Sequence, residues 1–552
     1  MINSKTNETY SGNSKQNRNF IRSLRHYVTE FCESISIQGL AYLVKNISLL
    51  ERLWWILVFT AGVSGSCYMV SRLMDKWITS PVLVSLATQE SKISDIPFPA
   101  VTICPESKIS QECLNYTKIL RERKKGDIFA SGFEEHLYYD LMAVFCKAEN
   151  HNGTASILQE KLQISAETEE ISLDDYSEFL TTCSAVRLDR ASCKWMGKKM
   201  NCKDVMSPII TDEGLCYTFN MYDVRDIYSD LNTMDYFEES NRRRDWDPEE
   251  GFHKKIYDLE NTYPRRAFQS GANNGFTAIF MTEKKDLNYA CQDLALQGLR
   301  VSLHPPTRLP RPGQVFFSVG LNRLTTAGVI PSMTSTAKIV QSYEPDKRGC
   351  YFGRERKLKF FKYYSQSNCN LECWTNYTHR HCGCVNFYMP RDKEMEICNL
   401  ETRFCLEDAR KSYTREILRD RLKSETGLNS EGTLTCHCMP LCSDLHYNAD
   451  LATSEWDFTN KDEANFDDLR DVVDEVQSSA VKVFFKKNYF LPTRRSELYG
   501  TTDLISNIGG TLGLFMGFSL ISLGEIVYFL SLRLIDNYRR FGYWAGPIHR
   551  SE

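Results

Sequence analysis

The side chains capable of acid–base or nucleophilic work do not form a catalytic set. No Ser, His and Asp grouping can be argued, and no glycine-rich phosphate loop opens a helix, so no enzyme is expected. What stands out is the last apolar stretch, Leu504 to Leu530, LISNIGGTLGLFMGFSLISLGEIVYFL. It is long enough to cross a bilayer, yet its first half is rich in glycine. At roughly 100° per helical residue, Ser506, Gly510, Gly513 and Gly517 share one stripe, with Gly509 beside it. Glycine weakens a helix, so this stripe implies close backbone approach or a break. In lipid, non-helical backbone is tolerated only where it is buried or lines water. The chemistry on offer is passage of an ion, and the stretch is read as a packing and pore-forming element rather than a simple anchor.

The second chemistry is that of sulfur. The chain of 552 residues has 20 cysteines, and all but Cys32 and Cys67 fall between residues 104 and 442. That density fits a disulfide framework in an oxidising compartment. Cys382-Gly-Cys384 and Cys436-His-Cys438 are close pairs rather than zinc knuckles, so no metal is assigned. Asn115-Tyr-Thr, Asn152-Gly-Thr and Asn376-Tyr-Thr are glycosylation acceptors.

These residues need a membrane to work in. A first apolar segment runs from about residue 53 to 74, with Trp54 and Trp55 at one end, Trp77 beyond the other, and Arg72 placed to snorkel. No signal peptide precedes it. Lys5, Lys15, Arg18, Arg22, Arg25, Lys45 and Arg52 lie before it, and Arg533, Arg539, Arg540 and Arg550 follow the closing stretch. The positive-inside bias makes both termini cytoplasmic and the middle extracellular. Residues 1–52 are then a cytoplasmic segment, 53–74 and 502–532 the spans, 75–501 the extracellular domain and 533–552 a cytoplasmic tail. Glu525 falls in the inner half of its span, where an acid faces polar surroundings, at an inner vestibule. The net charge of -4 argues against a nucleic-acid partner.

Along the middle, alternation through Val82 and Val84 predicts a strand, and Ala100 to Ile103 a second. The acidic run Glu167 to Glu178 reads as a solvated face, and Arg242 to Arg244 as a basic surface triplet. His304 is read as structural rather than as a proton sensor. GQVFFSVGL, AKIVQSY and VKVFFKKNYFLP are strand candidates, the last delivering the chain directly to the second span. Phe466, Leu469, Val472, Val473 and Val476 recur at helical spacing, opposite an acidic face.

Four stretches carry a family resemblance. FPAVTICP after the first span, CYTFN at Cys216 to Asn220, LRVSLHPPTRLP, and the cysteine order through RGCYF, CNLECW, HCGCVNFYMP and CHCMPLC are similar to signatures of degenerin and epithelial sodium channels, in particular the insect pickpocket branch. The resemblance implies an α+β membrane protein. Two transmembrane helices flank a large disulfide-rich extracellular domain with a central β-sheet, hand-like as in acid-sensing channels, with residues 350–442 as its cysteine-rich thumb. It implies a homo- or hetero-trimer with related subunits in the plasma membrane. That trimer would be a sodium-selective or cation channel gated through the extracellular domain by a mechanical or chemical stimulus. Sodium is the permeant ion and no cofactor is implied. A purinergic receptor channel shares the topology but would lack FPAVTICP and the ten-cysteine thumb. A non-conducting regulatory or receptor subunit, working only in hetero-oligomers, is the alternative.

Carried over residue by residue, the resemblance makes Gly517, Phe518 and Ser519 the Gly-x-Ser filter, where the second helix breaks and carbonyls and hydroxyls replace part of the ion's water shell. Phe518 departs from the small residue common there. Ser506 falls where bulk holds such pores open, and Asn507 where relatives carry an acid. Gln38-Gly39 stands where a His-Gly pair is usual, and glutamine cannot titrate. The bridges implied are Cys104–Cys216, Cys193–Cys202, Cys350–Cys442, Cys369–Cys438, Cys373–Cys436, Cys382–Cys405 and Cys384–Cys398. Cys113, Cys146, Cys183 and Cys291 stay unassigned.

Overall fold

The computed structural model describes residues 23–45, 47–79, 82–125, 135, 138–139, 142, 146, 179–232, 244–252, 262–291, 296–398, 402–426, 436–456, 475–542 and 544–545. The chain divides into two compact units. One comprises residues 1–83, 339–348 and 496–552, the other residues 84–338 and 349–495.

The first unit is helical. Its longest helix, Leu49–Thr79, starts at a Ser48-Leu-Leu-Glu51 capping box: the Glu51 carboxylate accepts from the Ser48 N–H at 3.1 Å and the Ser48 hydroxyl from the Glu51 N–H at 3.4 Å. Among the described residues it is the one helix that is by itself long and apolar enough to cross a membrane. The closing stretch is not one rod. Thr501–Met516 ends at a left-handed Gly517, Leu520–Leu530 begins at Ser519, and the axis turns by 77° between Thr501–Met516 and the run Leu520–Phe541. A third helix, Leu532–Phe541, follows.

The second unit is built on two sheets, one mixed and one antiparallel. An eight-stranded sheet runs Val82–Leu86, Thr493–Glu497, Arg323–Thr336, Val476–Phe485, Phe276–Glu283, Ser192–Trp195, Lys198–Met200, with Asp444–Glu455 also paired to Arg323–Thr336. A five-stranded sheet runs Phe317–Val319, Leu299–His304, Ala100–Pro105, Gly214–Phe219, Met206–Thr211. Aromatic residues join them: Phe219 stacks on Phe276 with centroids 3.9 Å apart, and Phe98 meets Trp195 at 4.8 Å and Phe485 at 5.4 Å. FPAVTICP is therefore a core motif, every residue of its strand being buried. CYTFN is its partner. Asn220 adopts φ 62°, and its amide donates to the Phe98 carbonyl at 2.7 Å while its oxygen accepts from the Arg265 N–H at 2.6 Å.

Nine disulfides staple this unit. The structure pairs Cys104–Cys216, Cys193–Cys202, Cys350–Cys442, Cys369–Cys438, Cys373–Cys436, Cys382–Cys405 and Cys384–Cys398. The four cysteines left open by the sequence form Cys113–Cys183 and Cys146–Cys291. Each such closure stabilises by about 2–4 kcal/mol. In the cysteine-rich region the helix Gln366–Cys382 is capped by the Ser365 hydroxyl, which accepts from the Asn368 N–H at 3.1 Å, and ends at Gly383 with φ 75°. Cys369 and Cys373 share its inner face by i, i+4 spacing, while Trp374 and Tyr377 pack on Tyr413 of Arg403–Thr426.

Several expectations need correction. AKIVQSY is not a strand: Lys338–Ser342 is a 3₁₀ turn, in which the Ser342 hydroxyl donates to the Ile339 carbonyl at 2.7 Å and curls the backbone. VKVFFKKNYFLP does not lead straight into the second span. Its strand ends at Phe485, and the short strands Tyr489–Phe490 and Thr493–Glu497 intervene. Val476, placed on an amphipathic helix, opens a strand opposite Glu283, and residues 466–474 of that reading lie outside the described residues. So do Glu167 to Glu178, Asn152, Arg242 and Arg243, while Arg244 pairs with Asp226.

Candidate functional site

The break in the closing stretch has a local cause on each side. Gly517 holds φ 67°, a conformation that favours glycine, and its N–H closes the upstream helix on the Gly513 carbonyl at 2.8 Å. Ser519 starts the downstream helix. Its hydroxyl accepts from the Ser522 N–H at 3.2 Å, and the Ser522 hydroxyl accepts from the Ser519 N–H at 3.1 Å. The Ser519 hydroxyl is thus committed to the cap. Phe518, between the two caps, is half-buried.

A segment from the start of the chain lies against this break. The Gln38 N–H donates to the Met516 carbonyl at 3.0 Å. A Cβ added to Gly517 would meet Gln38 Cγ at 2.9 Å, so Gly517 is required both by its dihedral and by its neighbour. Gly39 takes φ 96°, turning the chain into the short helix Leu40–Val44. Two residues upstream, the Ser36 N–H and hydroxyl each donate to the Glu525 carboxylate at 2.7 Å. Further back, the Tyr27 hydroxyl donates to the Phe529 carbonyl at 2.5 Å and Glu30 pairs with Arg533 at 2.5 Å. Tyr27 also meets Trp544, with centroids 5.9 Å apart. The polar partner that an acid in this span demands is Ser36.

Within one chain the glycine stripe is largely unfilled. Gly509 and Gly510 have open space where a Cβ would stand, and Ser506 and Asn507 are exposed. Gly513 would meet only the Phe518 carbonyl, at 3.6 Å. Close packing within the chain falls instead to the first long helix. A Cβ on Gly62 would lie 3.0 Å from the Phe515 carbonyl, and one on Gly65 2.8 Å from the Phe515 ring. These two glycines, Ser36 and Ser522 were missed in the sequence. The i, i+3 spacing could have found the two glycines and the Ser-x-x-Ser start of a helix Ser522, whereas Ser36 carries no local signal.

Elsewhere the predicted residues serve the fold. The Asn115 side chain accepts from the Lys118 N–H at 3.0 Å, capping Tyr116–Lys125, and Asn376 lies on Gln366–Cys382. Cys32 and Cys67 are free thiols, and no cluster of metal-ligating side chains occurs among the described residues. His304 is buried. Its Nδ1 faces the Pro305 carbonyl at 3.0 Å and its Nε2 the Thr102 hydroxyl at 2.8 Å. A carbonyl only accepts, so Nδ1 carries the proton and Nε2 accepts from Thr102. Burial pushes the ring's pKa down to about 4.

A family profile described as amiloride-sensitive sodium channel matches residues 31–529. Pickpocket protein 28 of Drosophila melanogaster is 27% identical over 93% of this chain and 79% of its own length. Sodium channel protein Nach of the same fly is 22% identical over 94% of this chain and 90% of its own. The human bile acid-sensitive ion channel is 22% identical over 91% of this chain and 85% of its own.

Proposed function

Because the chain belongs to the amiloride-sensitive sodium channel family, a family of membrane channels and not of enzymes, we propose that it is one subunit of a trimeric sodium-conducting channel. The observation that carries this reading is the 77° break at Gly517 to Ser519, capped on both sides within an otherwise apolar stretch. Backbone carbonyls freed at such a break, repeated by three subunits, form the ring that strips water from a sodium ion. The Gly509 and Gly510 face, unfilled within one chain, is the surface that the other subunits and the ion path use. Residues 53–74 and 502–532 are the spans, both termini are cytoplasmic, and residues 75–501, with the thumb at 350–442, face outside the plasma membrane. Covalent continuity from Thr493–Glu497 into Thr501–Met516 supports gating through the extracellular domain. Related subunits are the partners, and sodium is the substrate.

Expression alone and with related subunits tests the reading. An amiloride-sensitive sodium current is expected, with Ser506→Val holding the pore open and revealing it where the stimulus is unknown. Silence of Ser506→Val in every combination, with delivery to the surface shown, would instead favour a non-conducting regulatory subunit.

A further inference from the structure

A cavity of about 410 Å³ lies among residues 247–249, 353–364 and 441–443, at the base of the cysteine-rich region. Sites for small organic ligands span roughly 300–1,000 Å³, so it is large enough for one. Its floor is apolar and buried, made by Phe361, Tyr364 and Leu441. Its rim carries four cations, Arg354, Arg356, Lys357 and Lys362, against the acids Asp247 and Glu249.

The acids are already occupied. Asp247 accepts from the Glu249 and Glu250 N–H groups at 2.8 and 3.1 Å, and Glu249 accepts from the Gly353 N–H at 2.5 Å. Lys362 pairs with Asp230 at 3.2 Å, and Arg356 donates to the His437 carbonyl. Arg354 and Lys357 are exposed and make no ion pair among the described residues. Two cations without a carboxylate thus stand over an apolar floor.

The walls are fixed before any ligand arrives. The Tyr351 N–H donates to the Pro440 carbonyl at 3.0 Å and the Cys442 N–H to the Tyr351 carbonyl at 2.8 Å, beside the Cys350–Cys442 bridge. The Ser229 N–H donates to the Phe360 carbonyl and the Lys362 N–H to the Ile227 carbonyl, both at 2.9 Å. A preformed site spends little of its binding energy on ordering.

We propose that this cavity binds a small amphipathic organic anion. Its ring or branched apolar body rests on Phe361 and Leu441, and its carboxylate, sulfonate or phosphate lies between Arg354 and Lys357. The site does not depend on whether the chain conducts.

Equilibrium dialysis of the full chain in nanodiscs, corrected against empty discs, tests this with naphthalene-2-sulfonate and its neutral counterpart naphthalene-2-sulfonamide. The sulfonate is expected to bind once per chain, and the sulfonamide about tenfold more weakly. Arg354→Gln with Lys357→Gln should weaken the sulfonate about tenfold, leave the sulfonamide unchanged and leave the ligand-free melting temperature unchanged, because neither side chain supports the fold. Lys357→Gln alone should give an intermediate loss, and Arg354→Lys with Lys357→Arg should retain binding. Equal binding of the two probes, or sulfonate binding indifferent to both neutralising variants, overturns the proposal.

Discussion

Ser36 and Glu525, 489 residues apart in the chain, meet through two hydrogen bonds of 2.7 Å, one from the backbone and one from the hydroxyl of the serine. A carboxylate accepts both at once, which an amide oxygen and nitrogen cannot do. Glu525 therefore fixes the segment that carries Gln38 against the break. Replacing Glu525 by alanine should speed amide hydrogen exchange at residues 36 to 39, and Ser36→Ala, which keeps the backbone donor, should do so less. Unchanged exchange in Glu525→Ala would mean that the segment is held by its other contacts, those of Tyr27, Glu30 and Gln38.

Gly62 and Gly65 both face Phe515, but they meet different atoms. At Gly65 the neighbour is the ring, which can turn aside. At Gly62 it is the backbone carbonyl, which cannot. Alanine at either position should destabilise the helix pair by about 1–3 kcal/mol in thermal melts of the purified chain. Adding Phe515→Ala should rescue Gly65→Ala and leave Gly62→Ala impaired. Rescue of both would show that the carbonyl contact at Gly62 is not limiting.

These cases show what the sequence could and could not yield. The break was placed at Gly517 to Ser519 through the resemblance, since the glycine stripe by itself implied only close backbone approach or a break somewhere along it. The strand at Ala100 to Ile103 was legible as a short apolar run, whereas CYTFN was recognised only through the resemblance. The long strand Arg323–Thr336 was not legible, since Gly328 and Pro331 break its pattern. Pro331 is tolerated because it falls in a gap: the parallel partner Val476–Phe485 pairs only as far as Val329, and Thr493–Glu497 takes over only at Thr334. A proline there forfeits no ladder bond on that edge. Ser36 was illegible for a simpler reason, because nothing local to it announces a partner so far along the chain.

A second buried group gives a stability prediction. Arg300 donates to Glu106 at 2.6 Å and to Glu213 at 3.0 Å, Lys108 reaches Glu213 at 3.5 Å, and all four residues are buried. The charges balance in pairs. Arg300→Leu leaves two buried carboxylates facing one lysine and should cost about 3–5 kcal/mol. The check is the melting temperature and surface yield of the full chain. Arg323→Lys serves as the control, because the exposed pair of Arg323 with Glu455 should make that change nearly neutral.

His304 sets the sign of one pH effect. The folded ring has its pKa pushed down to about 4, while the unfolded ring titrates near 6.5. Above about pH 6.5 both states are neutral there and the residue contributes no pH dependence. Between about 6.5 and 4 only the unfolded state takes up the proton, so stability falls as pH falls, by up to about 3 kcal/mol at the acid end. The fall in melting temperature of the full chain across that range should be shallower in His304→Gln. An equal acid-side fall in the variant would rule out His304 as its source.

The break at Gly517 to Ser519 is the filter we propose, and ion selectivity is its test. The most direct measurement is the reversal potential of the amiloride-sensitive current under sodium outside and potassium inside, for the wild type, Ser519→Thr and Ser519→Ala. The capped break predicts a sodium-favouring wild type, a Ser519→Thr variant close to it because threonine also caps, and a Ser519→Ala variant whose reversal potential moves toward the non-selective value. A reversal potential that stays the same in Ser519→Ala would contradict the assignment of the filter to Gly517, Phe518 and Ser519.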